Sequence, residues 1–351
     1  MARSLTSPVK GPALVSEDPS APDGGAGHAP AAATRADATP LAGVLPVVQT
    51  PFNSDATVDF GALRTELEWI AEQGVAGVTI GMVTDILRLT VAERLDVAAA
   101  VRESTGAVGR TCVVSCVAES TRVASEIARH ARSIGADAVM ACPPTSTVVP
   151  SRALYDYFAA IADGAEIPVV VQDASGYVGQ PLSIDLMARL ESGYRDGIYF
   201  KPEADPVGQR VSELRDATGG RARIFEGLGG AFLVDSYRRG IVGSMPGAEV
   251  CWAVQRLWED LEAGDDEHAY RISGLLMGLA IQQPNLDGFI VVEKYLLARQ
   301  GVLPSTACRG PMGFELDPET AAELDRLFDR LRVVVDETPA WTPVEEGMPQ
   351  A

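Results

Sequence analysis

Residues 197–204 read "GIYFKPEA", a short apolar run that ends in a lysine. Ile198, Tyr199 and Phe200 lead into Lys201, and Pro202 and Glu203 follow it. The run is short, rich in β-branched and aromatic residues and bounded by Gly197 and Pro202, which predicts a strand. Period-two alternation then puts Tyr199 and Lys201 on one face and Ile198 and Phe200 on the other, the side that suits helix packing. An ammonium group is costly to take out of water, so Lys201 either has reached solvent at the strand end or is held there to react.

Seven more runs of this kind flank it. They are "GVLPVVQT" (43–50), "VAGVTIGMV" (75–83), "RTCVVSCV" (110–117), "DAVMACPP" (137–144), "IPVVVQDA" (167–174), "ARIFEGLG" (222–229) and "GIVGSMPG" (240–247). Between them lie segments with apolar residues at helical spacing, from "DFGALRTELEWIAEQ" (59–73) to "GGAFLVDSYRRG" (229–240). Strands buried on both faces and alternating with helices predict a parallel sheet, and eight such units predict an α/β fold, a closed (β/α)8 TIM barrel. A doubly wound open sheet is the competing architecture. From "EVCWAVQRLWEDLEAG" (249–264) to "PETAAELDRLFDRLRVVV" (318–335) the pattern is helical throughout. The expected organisation is a disordered N-terminal arm over 1–40, a barrel over 41–250, a C-terminal helical cap over 251–333 and a flexible tail over 334–351. Both ends are poor in large apolar residues, so little burial offsets the entropy of ordering them.

Composition narrows the function. The chain has 351 residues, 46% of them hydrophobic, which suffices for a large core. Its 29 basic and 48 acidic residues give a net charge of −19, which opposes binding to nucleic acid or an anionic membrane. No stretch reads as a signal peptide or a membrane span, so the expected location is cytoplasmic. Five scattered cysteines without CxxC spacing read as core residues, and His28, His130 and His268 lie far apart in sequence. Neither a metal nor a cofactor is called for.

In barrel enzymes the chemistry sits at the C-terminal ends of strands. Lys201 occupies that position on strand six. A lysine of ordinary pKa is only about 0.04% neutral at pH 7, whereas one tuned to 7–8 is roughly 10–50% free amine and can attack a carbonyl to form a Schiff base. Glu203 either shares the lysine's face and holds it charged or pairs outside with an arginine. Asp173 is either an acid–base group or a cap for its loop. "GLGG" (227–230) and "GSMPG" (243–247), with Gly243, suit tight turns and close backbone approach to a substrate; a phosphate site is the other reading.

Several further stretches carry a resemblance. "GVLPVVQTPFNSDATVDFGAL", "LRLTVAERLDVAAAV", "PVVVQDASGYVGQPLS", "GIYFKPEA", "FEGLGGAFLVDSYRRGIVGSMPG" and "QPNLDGFIVVEKYLLARQGVL" occur in this order from Leu41 to Val333. Together they resemble the dihydrodipicolinate synthase / N-acetylneuraminate lyase family of class I aldolases and dehydratases. The resemblance implies a homo-oligomeric barrel in which the matching lysine, Lys201, forms a Schiff base with a 2-oxo acid, usually pyruvate. It also marks departures. Where the family usually has a hydroxyl pair after strand two, this chain reads Gly81, Met82, Val83, Thr84, Asp85. The tyrosine that usually ends strand five and relays protons aligns with Gln172, which hydrogen-bonds but does not titrate. The loop after strand four, where a tyrosine is common, reads Pro143, Pro144, Thr145.

The resulting expectation is a Schiff-base lyase acting on a small carbonyl substrate, with catalytic Lys201 and Gln172. Gly81, Met82, Val83, Thr84, Asp85, Thr145, Tyr177, Glu203 and Gly243 are the expected substrate-binding residues. Acid–base work would fall to Asp85, Tyr177, Glu203 or a water held by Gln172 and Thr145, and lysine biosynthesis is disfavoured. A catalytically degenerate barrel that binds a carbonyl ligand or serves assembly is the alternative. Tyr177 and Tyr199 fit a packing role equally well.

Overall fold

A computed structural model describes residues 40–337, and the arm expected over 1–40 lies outside them except for Pro40. Eight strands alternate with helices in chain order: β1 (Gly43–Val44), α1 (Phe60–Glu72), β2 (Gly77–Thr79), α2 (Val91–Ala107), β3 (Thr111–Ser115), α3 (Thr121–Ser133), β4 (Ala138–Ala141) and α4 (Ser151–Ala165). The second half continues with β5 (Val169–Asp173), α5 (Ile184–Tyr194), β6 (Ile198–Pro202), α6 (Val207–Ala217), β7 (Phe225–Glu226), α7 (Leu233–Arg238), β8 (Gly243–Ser244) and α8 (Cys251–Ala263). Each strand falls inside one of the eight apolar runs.

All pairings between these strands are parallel. Two hydrogen-bonded sections, β2-β3-β4-β5-β6 and β1-β8-β7, meet through single parallel bridges at Val47–Thr79 and Phe200–Ile224. The sheet is therefore curled, and each strand neighbours its sequence successor. Helix starts are encoded locally: Asp59, Ser120 and Ser183 accept from the backbone N–H three residues on, and Thr90 with Glu93 forms a reciprocal capping box.

The core has two layers, as strand alternation requires. Val47, Val113, Met140, Val170, Tyr199, Phe225 and Met245 fill the inside of the curl. Val169, Val171, Ile198 and Phe200 face outward into the layer beneath the helices. Burying Phe200 fully is worth about 1.5–3 kcal/mol. The Tyr199 hydroxyl accepts from Leu41 N (3.1 Å) and the Arg223 guanidinium (2.9 Å), so this tyrosine is an internal packing residue. Gly243 has a structural duty as well. A β-carbon there would lie 2.1 Å from Gly43 O, and its absence lets β8 lie against β1.

Two expected boundaries shift. α8 packs on β1 and completes the alternation, so it belongs to the strand–helix ring; the extension is α9 (Asp266–Ala280), α10 (Leu286–Arg299) and α11 (Pro318–Asp336). The bound expected at 334 falls inside α11, which runs to Asp336. Val334 and Val335 pack on the core, Val334 O lies 2.8 Å from His268 Nε2, and Glu337 pairs with Arg271 at 2.7 Å. Residues 338–351 lie outside the described residues.

α10 crosses the strand ends and packs on the turns at Met82–Thr84 and Ala248–Val250. No described helix is long and apolar enough to cross a membrane.

Candidate active site

The β5–β6 ladder sets Gln172 opposite Lys201. Lys201 is 4% exposed at the inner end of β6, and its Nζ donates to Glu203 Oε1 at 3.0 Å. Alternation continues through Pro202, so Glu203 returns to the lysine's face. The other carboxylate oxygen, Oε2, receives Gln172 Nε2 at 2.6 Å and the Tyr177 hydroxyl at 3.1 Å. Gln172 Nε2 also lies 2.9 Å from the Tyr177 oxygen, which closes the network. Burial, with the nearby Glu203 carboxylate adding to it, pushes the Tyr177 phenol well above its usual range, so it stays a donor. A β-carbon on Gly227 would fall 2.2 Å from Glu203 Oε1, so glycine is what lets the carboxylate reach the lysine.

One strand further round, Glu226 on β7 is buried and accepts from the Ser244 hydroxyl at 2.6 Å. Burial raises its pKa to about 8 against the downward pull of Ser244 and Lys201.

Lys201, Gln172, Tyr177 and Glu203 line a cleft of about 390 Å³, counting the space open to solvent. Its walls are apolar, from Val47, Met82, Val83, Met140, Leu228, Met245 and Phe289, with Gly81, Gly229 and Gly247 between them. Lys201 is the sole cation among the lining residues, and Glu203 and Glu293 are its acids. No arginine or second lysine there would meet a substrate carboxylate.

The cleft thus gathers Lys201, Gln172, Gly81, Met82, Val83, Tyr177 and Glu203. Four expected members lie elsewhere. Thr84 is buried with its hydroxyl on Val48 O (2.6 Å), tying β2's turn to the chain after β1. Asp85 is buried against Lys294 of α10 at 2.7 Å, where an unpaired ammonium would be costly. From the β4–α4 loop Thr145 donates to Glu119 (2.7 Å) in the β3–α3 loop, and Gly243 sits within the β1–β8 pairing. Asp173 caps its own loop: it accepts from Ser175, Leu182 N and Arg210. Asp260, Asp265 and His268 cluster on the far helices, but the His268 ring nitrogens are already met by Asp260 (2.7 Å) and Val334 O (2.8 Å).

Sequence reasoning missed Phe289 and Glu293, which α10 brings over the cleft. The signal was present in "FIVVEKYLL" (289–297), a charged pair inside an apolar helix, an anomaly of the same kind as Lys201.

The dihydrodipicolinate synthetase family model matches residues 40–330. The chain belongs to this family. Among family relatives, L-2-keto-3-deoxyarabonate dehydratase of Azospirillum brasilense is 29% identical over 188 residues, 53% of this chain and 60% of that protein. The chain thus spans less than two thirds of that relative's length. 4-Hydroxy-tetrahydrodipicolinate synthase of Bifidobacterium longum is 25% identical over 304 residues, 84% of this chain and 95% of that one. In structure, dihydrodipicolinate synthase from Rhodopseudomonas palustris superposes with TM-score 0.75 at 24% identity, covering 83% of this chain and 97% of that chain. Sialic acid aldolase of Ruminococcus gnavus gives TM-score 0.74 at 20% identity, covering 84% and 97%. Both structural likenesses speak to the fold.

Proposed function

We propose that the protein is a Schiff-base-forming lyase of the (β/α)8 barrel type, acting on a small carbonyl compound through Lys201. The observation that carries this is a lysine buried at the floor of a cleft, 3.0 Å from a carboxylate that two donors hold in place. Glu203 takes a proton from the ammonium, and the freed Nζ attacks the carbonyl carbon. The C–N bond forms as the carbonyl π pair moves to oxygen, which is protonated. A second proton transfer releases that oxygen as water and leaves the iminium. Gln172 and Tyr177 fix the position of Glu203 and do not themselves ionise in this step. The iminium then draws electrons from the adjoining carbon, which allows C–C cleavage, C–C formation or loss of water.

The cleft lining supports a substrate bulkier and less anionic than pyruvate. Apolar side chains at Met82 and Val83 offer surface but no donors to a carboxylate. This disfavours the lysine-biosynthetic reaction and fits a dehydratase or aldolase of catabolic or specialised type. Loss of the usual hydroxyl and tyrosine positions is what would favour a degenerate, ligand-binding barrel instead.

Borohydride trapping separates the two readings. Incubation with a panel of oxo acids and aldehydes, then reduction, is expected to give one secondary-amine adduct, mapped by peptide mass spectrometry to Lys201. Lys201→Ala should lose both adduct and turnover. Equal turnover of a substrate by wild type and Lys201→Ala would overturn the lysine reading, and a protein with neither adduct nor turnover would favour the ligand-binding alternative.

A further inference from the structure

The cleft that holds Lys201 also borders a second set of buried acids that the lysine chemistry leaves unused. Glu293 on α10 lines the cleft, while Glu249, in the turn after β8, and Glu66 on α1 stand behind it, all three almost fully buried. Gln49, after β1, joins them: its Nε2 donates to Glu293 Oε2 at 2.5 Å and its backbone N to Glu66 Oε1 at 2.9 Å. The remaining oxygens Gln49 Oε1, Glu66 Oε2 and Glu249 Oε2 have no donor among the described residues. Buried acceptors this crowded are satisfied when carboxyl groups carry protons and donate them to one another. Gly247 marks where two of them converge. A β-carbon there would lie 2.2 Å from Glu249 Oε2 and 2.8 Å from Glu293 Oε2, so only a glycine leaves the two carboxyls room to face each other.

We infer that Glu249 and Glu293 form a proton-sharing carboxyl pair, and that Glu293 is the catalytic acid–base group that moves a proton on and off the carbon next to the Lys201 iminium. The inference rests on the lysine reading above and names the residue that works beside it. In the forward step, Glu293 takes the proton from that carbon. The C–H electron pair becomes the enamine C=C bond, the iminium π pair returns to nitrogen, and the carboxyl pair gains one proton. The reverse step returns the proton to carbon. No further reactant is needed.

The electrostatics agree with this geometry. Burial first, then the Glu249 charge, hold Glu293 well above the carboxylate range, and burial raises Glu249 to about 7. Glu66, Lys201 and the Gln49 amide also act on Glu293. The Lys294 charge acts on Glu66, and Cys251 and Tyr177 lie within range of the same acids. Two carboxyls in one site keep a proton between them because both cannot ionise cheaply.

The test follows hydrogen exchange. The full-length protein is incubated in D2O with whichever carbonyl compound gives the Lys201 adduct, and exchange at the carbon beside the carbonyl is followed by proton NMR. Glu293→Gln is expected to keep the borohydride adduct at Lys201 while exchange falls by about 100-fold, the scale of general-base loss, and Glu293→Asp should recover part of it. Circular dichroism melting establishes that each variant is folded. Glu249→Gln, a change outside the cleft lining, should move the acidic limb of the exchange profile to lower pH by about one unit or more, because removing the neighbouring charge weakens proton retention on Glu293. Exchange in Glu293→Gln within about threefold of wild type, or an unmoved limb in Glu249→Gln, overturns the proton-sharing pair and leaves the lysine reading intact. A wild type without any adduct overturns both, and does so at the trapping step, before exchange is measured.

Discussion

At Lys201 the burial of an ammonium is offset by one carboxylate at 3.0 Å, and the network behind that carboxylate is what a substitution would disturb. Tyr177→Phe removes one donor to Glu203 and leaves Gln172 in place. A charge-assisted bond of roughly 1.5–2 kcal/mol predicts a fall in kcat/KM of about 10–30-fold with the Lys201 adduct retained. Steady-state kinetics beside trapping would check this; unchanged kinetics would mean that Tyr177 only packs. Val83→Thr adds a hydroxyl to the apolar wall. It should shift relative preference toward pyruvate across a series of 2-oxo acids and aldehydes, and a wild type that already prefers pyruvate would contradict the apolar-substrate reading.

Among the elements, α10 has the most to hold. Lys294, fully buried, bonds Asp85 at 2.7 Å in the turn after β2 and stacks over the Phe52 ring at 4.5 Å. Asp85 itself has φ of 58°, a conformation that costs a non-glycine residue about 1 kcal/mol or more, so the pair also pins a strained turn. Burial pushes the Asp85 carboxyl upward while Lys294 pulls it back. Asp85→Ala should destabilise the fold by about 3–5 kcal/mol in urea, because it strands a buried ammonium. The double variant Asp85→Leu, Lys294→Met should recover most of that loss. A single variant costing under about 1 kcal/mol would show that Lys294 finds another partner. Since Phe289 and Glu293 ride on the same helix, loosening this contact should also lower activity.

For the whole molecule, buried acids set how stability depends on pH. Glu66 and Glu226 are raised to about 8 and Glu249 to about 7 by burial, whereas free glutamate titrates near 4.3. Between those values the native state keeps protons that the unfolded chain has released. Stability therefore falls as pH rises from about 4.5 toward 8, by up to ~1.4 kcal/mol per pH unit for each retained proton, and the slope levels above 8. Glu93, held near 2 by the Arg309 guanidinium, acts the other way and loses its contribution as pH falls below its unfolded value. Urea midpoints at pH 5, 6.5 and 8 should decline in that order, and Glu226→Gln should flatten the decline. Midpoints that rise with pH would place these carboxyls in the ionised form. With a charge of −19, added salt should raise the melting temperature at pH 8 by screening self-repulsion.

Local pattern sufficed for whatever depends on near neighbours along the chain. Short apolar runs marked all eight strands, and period-two alternation told Lys201 from Phe200. Glu203 follows Lys201 by two residues and Gln172 lies next to last in the adjoining strand, so both were candidates in the sequence, with the face of Glu203 left open there. What stayed hidden was decided by side chains brought together from distant positions. Thr84 and Asp85 sit one and two residues past Val83, yet they turn into the body of the protein because Val48 O and Lys294 meet them there. Nothing in the local sequence of Gly243 distinguishes a strand contact from a substrate contact; the approach of Gly43 does. Glu293 reaches the cleft only because α10 folds back over the strand ends, and its proton affinity arises from burial first and then from the charge of Glu249, 44 residues earlier in the chain. Strand and helix periods are set by neighbouring backbone geometry, so they can be read from sequence, whereas burial and charge coupling are set by residues that only the tertiary fold places within a few ångströms.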